Sequence, residues 1–457
     1  MPKATTEIVI DDPDAGPAWR TWRMGMTTAP QAQVLSTAEI IAVGTELLTP
    51  FRSDTNSLFL TSKLNELGIE VRRKSIVGDT TEDLAVAVHG ALACVDLLVV
   101  CGGLGPTEDD LTRETIARVL DRRLQEDPAI LEHIRSRFAR RGWTMPDNNR
   151  RQAQVPVGAT VLDNPRGTAP GLWLEYGDRV IVLLPGPPRE LEPMFAELVR
   201  GPLEGRATPK RLYRRVLCVA GRGESHVEEL AQPVYDRWGR ADPPVRTTVL
   251  ASPGLVDVHL STTSASEPRA HATLDQATAE LAEALGEHLF STDGRSMAEV
   301  VGSILRRLDL HVAVAESCTG GLVMAQLVDV PGSSAYVRGG MVAYANDVKQ
   351  TQLGVDSTVL AEHGAVSEAV AVEMARGVRH ALEAELGLGV TGVAGPEGGT
   401  DAKPVGTVCV AVVGPDTAYR VRTVCLPGDR AMIRRQAARV ALDLLRRTLG
   451  GTGRLAR

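Results

Sequence analysis

Ser317, Cys318 and Thr319 place two hydroxyls and a thiol side by side, one residue after the apolar residues 312–315. The apolar run alternates small and branched side chains, which predicts a buried strand, and the following glycine pair predicts a tight turn into a helix. A helix start leaves its first N–H groups without partners, so these groups can bind an anion next to a nucleophile. A helix cap served by two glycines fits the stretch equally well.

Tyr344 and Lys349 are the next residues that could take part in chemistry. Residues 340–344 predict a strand, and Asn346 or Asp347 is the expected cap of a short helix, so Lys349 falls in the first helical turn. The positive end of a helix lowers the pKa of a lysine, and burial lowers it further. A neutral lysine near a serine can activate the hydroxyl. The alternative is a solvated surface lysine.

Cys318 is the rival nucleophile to Ser317. A catalytic thiol usually needs a histidine partner. The histidines of this part of the chain, His311, His363 and His380, stand in no motif-like setting. We therefore expect Ser317 to be the nucleophile.

A second glycine-rich strand end lies farther along the same part of the chain. Residues 387–390 predict a strand that leads into a turn containing Thr391, Gly392 and Gly395. Two such strand ends in one domain can converge on a single crevice, because ligands bind at the carboxyl ends of parallel strands.

The N-terminal half carries a third glycine-rich strand end. Gly102, Gly103 and Gly105 follow a predicted strand over residues 96–101, and Thr107 comes shortly after them. Glycines let a backbone approach a phosphate closely, and the next helix start offers N–H donors. The stretch therefore predicts a phosphate site.

Glu108, Asp109 and Asp110 complicate this prediction. Three consecutive acids would repel a phosphate unless a divalent metal ion bridged them, so we expect a metal-assisted site. The alternative is structural: Thr107 and Asp110 form a capping box, and the acids suit the positive end of the helix.

Arg166 and Arg189 lie on two other loops rich in proline and glycine. Both arginines could reach phosphates. The commoner fate of a single arginine on a loop is solvation, which is the alternative here.

These candidate residues fall on alternating strands and helices. From residue 38 the pattern predicts βαβ units and a parallel, doubly wound α/β sheet. We predict a flexible extension over residues 1–36, a doubly wound domain over 37–205, a small α+β module over 206–292 and an α/β domain over 293–457.

Composition excludes several classes of protein. The 457 residues carry a net charge of −7 and 4% aromatic residues, which argues against a generally basic nucleic-acid binder or a base-stacking protein. No apolar run approaches the ~20 residues of a membrane span. Six scattered cysteines without a C-x-x-C pair are typical of a reducing cytoplasm, so we expect a cytoplasmic protein.

Several long motifs together resemble one family, the CinA family of competence/damage-inducible proteins. The C-terminal third resembles its nicotinamide-nucleotide amidohydrolase domain, and the N-terminal half resembles molybdopterin-binding proteins of the MoaB and MogA type. The motifs are Glu316-Ser317-Cys318-Thr319-Gly320-Gly321, the Tyr344/Lys349 pair, the turn of residues 391–396, the stretch of residues 102–110 and Pro185-Gly186-Pro187-Pro188-Arg189-Glu190.

The resemblance implies that the C-terminal α/β domain hydrolyses the amide of nicotinamide mononucleotide, giving nicotinate mononucleotide and ammonia. Ser317 would be the nucleophile, Lys349 its base and Tyr344 an assisting group. Thr391 and nearby backbone N–H groups, with the glycine turns, would hold the substrate or the oxyanion. This amidase site would need no cofactor.

The resemblance also implies an ADP-ribose pyrophosphatase in the molybdopterin-binding-like N-terminal domain. It would depend on a divalent metal ion (Mg, Mn or Co), with Asp79, Asp109 and Asp110 as candidate ligands and ADP-ribose as substrate. The middle module would be KH-like, and a homodimer is expected. No nucleic-acid or membrane partner is expected.

One departure from the family concerns the N-terminal site. Residues 49–53 replace a loop that commonly contains glycine, which changes the shape of that site. Two alternatives remain: a pterin-binding protein, or a non-catalytic partner in DNA uptake. The acidic net charge argues against the second, and the Ser317, Tyr344 and Lys349 set argues against the first.

Overall fold

The computed structural model describes residues 33–415 and 418–450. These residues form two compact units, which divide between residues 208 and 209. Residues 1–32 of the predicted extension and residues 451–457 lie outside the described residues. Leu35, which the prediction placed in the extension, is fully buried, and its N–H donates to the Arg206 carbonyl oxygen. The boundaries of the predicted domains and of the small module stay predictions.

The first unit is built on a six-stranded sheet in the order β2-β1-β3-β8-β7-β6. Strands β1, β2, β3 and β8 are parallel, and β7 and β6 are antiparallel additions, with a turn at residues 177–178 joining β7 to β8. The strands are β1 (Thr37–Val43), β2 (Glu70–Val77), β3 (Leu97–Cys101), β4 (Leu124–Glu126), β5 (Gln154–Pro156), β6 (Thr160–Leu162), β7 (Gly171–Tyr176) and β8 (Arg179–Leu184). Strands β4 and β5 pair apart from the main sheet.

Helices cover both faces of this sheet, because its central strands are apolar on both sides. The helices are α1 (Asn56–Glu66), α2 (Thr81–Leu92), α3 (Thr112–Val119), α4 (Pro128–Ala139) and α5 (Pro188–Leu198). One core lies under α1 and α5, and the other under α2, α3 and α4. The sheet reverses its winding between β1 and β3, and the crevice at the carboxyl ends of these strands is the expected ligand position.

The second unit begins with a small α+β module. Its antiparallel sheet has the order β10-β11-β9-β12, and two helices cover one face of it. The elements are β9 (Arg211–Ala220), α6 (Glu224–Trp238), β10 (Arg246–Ser252), β11 (Leu255–Ser264), α7 (Glu267–Leu285) and β12 (Leu289–Ser291).

The rest of the second unit is an α/β domain with a five-stranded sheet in the order β14-β13-β15-β16-β17. Strands β14, β13 and β15 are parallel, and β16 and β17 run antiparallel to their neighbours. The elements are α8 (Met297–Leu308), β13 (Val312–Glu316), α9 (Leu322–Val328), β14 (Val337–Val342), α10 (Asn346–Leu353), α11 (Ser357–His363), α12 (Glu368–Ala381), β15 (Leu386–Gly392), β16 (Thr407–Val413), β17 (Tyr419–Cys425) and α13 (Arg430–Gly450).

Helix α12 packs on one face of this sheet, and helices α8, α9 and α13 pack on the other. The predicted fold class, α/β with a small α+β middle module, is confirmed. No helix within the described ranges is long and apolar enough to cross a membrane.

Candidate active site and nucleotide crevice

Three parallel strands bring the predicted C-terminal residues to one edge of the sheet. Ser317 follows β13, Tyr344 follows β14, and Thr391 lies near the end of β15. Backbone bonds join these ends: the Ser317 N–H donates to the Val390 carbonyl oxygen at 2.9 Å, and the Ala343 N–H donates to the Glu316 carbonyl oxygen at 2.8 Å. The two glycine-rich strand ends therefore lie next to each other, as predicted, and a crevice at this edge stays a prediction.

The start of α9 is capped by a carboxylate from the preceding strand. Glu316 is 1% exposed, and its Oε2 accepts hydrogen bonds from the N–H groups of Gly321 at 2.8 Å and Val323 at 3.2 Å. Its Oε1 accepts one from Met324 at 2.9 Å. The prediction of a free anion site at this helix start is therefore wrong, because the anion is the chain's own carboxylate.

The turn after Ser317 is held from α13. Arg434 donates to the carbonyl oxygens of Cys318 at 3.1 Å and Thr319 at 2.8 Å. The Gly320 N–H donates to the Ser317 carbonyl oxygen. Within residues 33–415 and 418–450, the N–H groups of Cys318 and Thr319 donate to no other residue. These two N–H groups, and not those of the glycine pair, have no described partner, and both residues are buried, Thr319 fully.

Lys349 is buried beside this turn. It is 1% exposed, and its Nζ donates to the Tyr344 carbonyl oxygen at 2.9 Å. Burial lowers the pKa of the Lys349 amine, and the neighbouring Cys318 acts in the opposite sense. The alternative, a solvated surface lysine, is therefore excluded, and the predicted burial is confirmed. The cap of α10 is Ala345 and not an Asn or Asp side chain, which leaves Lys349 at the fourth helical position.

Ser317 and Lys349 are not joined in the described structure, where no hydrogen bond connects their side chains. Ser317 is 8% exposed. The single described hydrogen bond of Lys349 is a donation, so its amine, once deprotonated, has a lone pair that can accept a proton. Catalytic hydrogen bonds often tighten only when substrate binds, so the pair stays a prediction.

Cys318 sits in an apolar setting. Burial raises the pKa of its thiol to about 12, so the thiol is protonated at neutral pH. A Cβ atom at Gly392 would lie 3.1 Å from its sulfur. Cys318 therefore packs against the β15 turn, which suits a structural thiol better than a nucleophile.

Tyr344 is 60% exposed and is tied to a residue that the sequence analysis missed. Arg430, the first residue of α13, donates to the Tyr344 hydroxyl oxygen at 3.0 Å and to the Gly395 carbonyl oxygen at 2.7 Å. An arginine at the positive end of a helix is unfavourable unless it has another task. That unfavourable position is the signal that could have identified Arg430.

The side chain of Thr391 is used internally. Its hydroxyl donates to the Ala365 carbonyl oxygen at 2.7 Å, and the residue is 1% exposed. Thr319 is fully buried, and its hydroxyl has no partner among the described residues. Gly392 and Gly395 allow close packing, since a Cβ atom would lie 2.7 Å from the Thr407 carbonyl oxygen and 2.6 Å from Val405, respectively.

In the first unit, the glycines of the predicted phosphate site line the crevice between β1 and β3. A Cβ atom at Gly102 would lie 2.2 Å from the Val43 carbonyl oxygen, and one at Gly103 would lie 2.3 Å from the Thr112 hydroxyl. Gly186 at the end of β8 lies against Gly102, and its carbonyl oxygen accepts a hydrogen bond from Asn56. The glycines therefore allow the loop after β3 to pack closely against the ends of β1 and β8.

Asp110 folds back into its own loop. Its carboxylate accepts hydrogen bonds from the Gly105 N–H at 2.8 Å and from the N–H and hydroxyl of Thr107. Helix α3 begins at Thr112 and has no side-chain cap, so the predicted capping box is wrong. Because Asp110 takes the donors of Gly105 and Thr107, these two residues do not offer them to a phosphate.

Two arginines that the sequence analysis missed donate hydrogen bonds to the backbone of the loop over residues 104–110. Arg113 is fully buried and donates to the carbonyl oxygens of Leu104 and Gly105, and burial lowers the pKa of its guanidinium. Arg151 donates to the carbonyl oxygens of Thr107 and Asp110. The loop is therefore rigidly supported.

The expected metal ligands do not form a preformed cluster. Asp79 accepts a hydrogen bond from the Thr45 N–H at 2.7 Å, and Asp110 is occupied as described. Asp109 is exposed, and its nearness to the Thr107 hydroxyl lowers the pKa of its carboxyl. No group of three or more His, Cys, Asp or Glu side chains within residues 33–415 and 418–450 could hold a metal ion. The carboxylates alone therefore do not fit a divalent ion.

Comparison with known proteins assigns both units. Residues 294–449 match the family described as "CinA C-terminal domain", and residues 39–205 match the family described as "Probable molybdopterin binding domain". A CinA-like protein of Koribacter versatilis is 45% identical over 419 residues, covering 90% of this chain and 99% of that protein. The chain belongs to the CinA family.

A second CinA relative agrees with this assignment, and a solved structure is similar in sequence over part of the chain. A CinA-like protein of Acidobacterium capsulatum is 44% identical and covers 90% of this chain and 99% of its own length. The solved structure of the competence/damage inducible protein CihA from Agrobacterium tumefaciens is 38% identical, covers 34% of this chain and 93% of that chain, and gives a TM-score of 0.33. The family resemblance predicted from the motifs is confirmed.

Proposed function

We propose that the C-terminal domain of this CinA-family chain hydrolyses the carboxamide of nicotinamide mononucleotide to nicotinate mononucleotide and ammonia. The observation that carries the proposal is a serine at a strand end, followed by two buried backbone N–H groups without a described partner and flanked by a buried lysine of lowered pKa. A nucleophile, a base and oxyanion donors are the parts that amide hydrolysis needs.

In the proposed reaction the Ser317 Oγ attacks the carboxamide carbon, and its proton passes to the Lys349 amine. The N–H groups of Cys318 and Thr319 stabilise the oxyanion, as the N–H after a nucleophile does in other hydrolases. The C–N bond then breaks, and the leaving nitrogen takes the proton from Lys349 as ammonia departs. Water hydrolyses the resulting ester with Lys349 again as base, and the proton returns to Ser317.

The 5′-phosphate of the substrate would bind at the exposed rim of the site. Arg430 and the Tyr344 hydroxyl lie together there. A guanidinium group binds phosphate through charge-assisted hydrogen bonds, and the tyrosine hydroxyl can donate another. Thr391 would position the turn through its bond to Ala365 and would not itself donate to the oxyanion.

Incubation of the full-length protein with nicotinamide mononucleotide tests the proposal. We expect equal amounts of ammonia and nicotinate mononucleotide, measured by an enzyme-coupled ammonia assay and by chromatography. Nicotinamide release instead of ammonia would mean cleavage of the glycosidic bond, and it would overturn the proposal.

We propose as a second function that the N-terminal domain cleaves ADP-ribose with a divalent ion. It is supported by the switch point of the sheet between β1 and β3, the position at which doubly wound sheets bind their ligands. Mg²⁺ in nucleotide enzymes is held by one or two carboxylates and the substrate phosphates, so Asp109 would be the exposed ligand. Formation of AMP from ADP-ribose with Mg²⁺, Mn²⁺ or Co²⁺, compared with EDTA, tests it; no AMP with any of these ions would overturn it.

A further inference from the structure

A cavity of about 150 Å³ in the first unit lies beside the nucleotide crevice and is lined by four arginines. They come from three elements: Arg137 and Arg141 from the α4 region, Arg166 from the loop before β7, and Arg189 from the first turn of α5. This loop and the start of α5 lie at the same edge of the sheet as the glycine crevice, because β7 begins where β8 ends.

The positive charge in this cavity is poorly compensated. In the described part of the chain, no carboxylate lies within 4 Å of the guanidinium groups of Arg137, Arg141 or Arg166. The one acidic side chain in the lining is Glu190, 3.8 Å from Arg189, and its Oε2 already accepts a hydrogen bond from Asn164. Four cations facing one carboxylate repel one another unless an anion is present.

Two of the arginines are held in place by the backbone. Arg137 donates to the Pro165 carbonyl oxygen at 2.7 Å, and Arg166 donates to the Arg189 carbonyl oxygen at 3.3 Å. A guanidinium group has five N–H donors, so each retains donors for a ligand. The Thr168 hydroxyl also lies in the lining and has no described partner. Such preorganisation favours binding, because less side-chain freedom is lost.

We propose that this four-arginine cavity is a phosphate-binding subsite that takes a phosphate or diphosphate group of the nucleotide bound by the N-terminal domain. Pockets that enclose a whole drug-sized ligand are about 300–1,000 Å³, so this cavity suits a phosphoryl group and not a complete nucleotide. The inference rests on the proposed nucleotide binding of this domain. Binding of inorganic diphosphate, however, can be measured without any cleavage.

The test compares two double variants of the full-length protein by isothermal titration calorimetry with inorganic pyrophosphate and inorganic phosphate. Arg137→Gln with Arg166→Gln removes two charges from the cavity. The control, Arg135→Gln with Arg140→Gln, removes two charges from exposed positions on or next to the same helix but outside the cavity. We expect the cavity variant to bind pyrophosphate about tenfold more weakly or worse, since charge-assisted bonds are lost, and the control to bind normally.

Equal weakening in both variants would show only general electrostatic attraction, and absence of pyrophosphate binding by the parent protein would also overturn the subsite. Kinetics with ADP-ribose separate the two proposals. A raised KM with unchanged kcat in the cavity variant alone supports the subsite. Pyrophosphate binding without ADP-ribose cleavage would leave the subsite standing and refute the proposed second function. An unchanged KM in an active cavity variant would refute the subsite for this nucleotide.

Discussion

At Lys349 the chain buries an amine that would be more stable in water. Its folded-state pKa lies below the ordinary value of 10.5, because burial disfavours the ammonium form. Folding therefore releases a proton when the pH lies between the two pKa values, and stability rises with pH across that window. The free-energy cost of burying the Lys349 amine has its full value below the folded-state pKa, and it is zero well above pH 10.5, where both states are deprotonated.

We predict that Lys349→Met abolishes ammonia release but raises the free energy of unfolding at neutral pH, because methionine fills similar space without a buried charge. The difference in the free energy of unfolding between variant and parent should shrink as the pH approaches the ordinary lysine pKa. Urea unfolding of both proteins at several pH values measures this difference. A loss of stability at neutral pH would contradict the assignment of Lys349 as a destabilising, functional group.

Arg430 is predicted to bind the substrate phosphate. Arg430→Gln should raise KM for nicotinamide mononucleotide about tenfold with little change in kcat, because the phosphate does not react. Nicotinamide riboside lacks the phosphate, so its turnover should be insensitive to the change. Arg435→Gln, an exposed charge on the same helix, is the matched control. Equal effects on both substrates would rule out phosphate binding.

At the scale of elements, the junction between β13 and α9 depends on Glu316. Both carboxylate oxygens accept backbone N–H groups, so a glutamine would turn its NH₂ group toward one of these donors. We predict that Glu316→Gln lowers the free energy of unfolding by about 1–3 kcal/mol and reduces deamidation by displacing Ser317.

Thermal unfolding followed by circular dichroism checks this prediction. Glu362→Gln is the control, since this side chain is 73% exposed and its only described ion pair, with His363, is 3.9 Å long. A Glu316→Gln protein as stable as the control would show that the cap contributes nothing.

The strands and turns of the active-site edge could be predicted from the sequence because their signals are local. The apolar run before Glu316 and the glycines after Thr319 specify a strand and a turn within ten residues. The burial of Lys349 could also be predicted in part from the sequence, because a cation is unfavourable in the first turn of a helix unless it has another task.

The partners of these residues could not be predicted, because they come from distant parts of the chain. Arg434 reaches the Ser317 turn from more than a hundred residues away, and Thr391 bonds to Ala365 across a helix. The role of Asp110 was missed for another reason. A carboxylate that caps a helix and one that accepts hydrogen bonds within its own loop come from the same residue types, and only the backbone path distinguishes them.

At the scale of the whole molecule, the two proposed activities reside in separate compact units. We predict that Ser317→Ala abolishes ammonia release while ADP-ribose cleavage stays within twofold of the parent rate, as expected for independent sites (roughly additive effects). Asp109→Asn should abolish ADP-ribose cleavage while ammonia release stays within about twofold of the parent rate. The Asp109 carboxylate is exposed, so its loss should leave the fold intact. Parallel assays of both reactions on both variants decide this, and loss of both activities in either variant would contradict independence.

The central claim is that Ser317, and not Cys318, attacks the amide. The rate of ammonia release from nicotinamide mononucleotide by Ser317→Ala and by Cys318→Ala tests it most directly. We predict a loss on the order of 10³ or more for Ser317→Ala, because nucleophile and base act as a unit, and most of the parent rate for Cys318→Ala, whose thiol is buried and protonated. An active Ser317→Ala with an inactive Cys318→Ala would contradict the account and assign the reaction to the thiol.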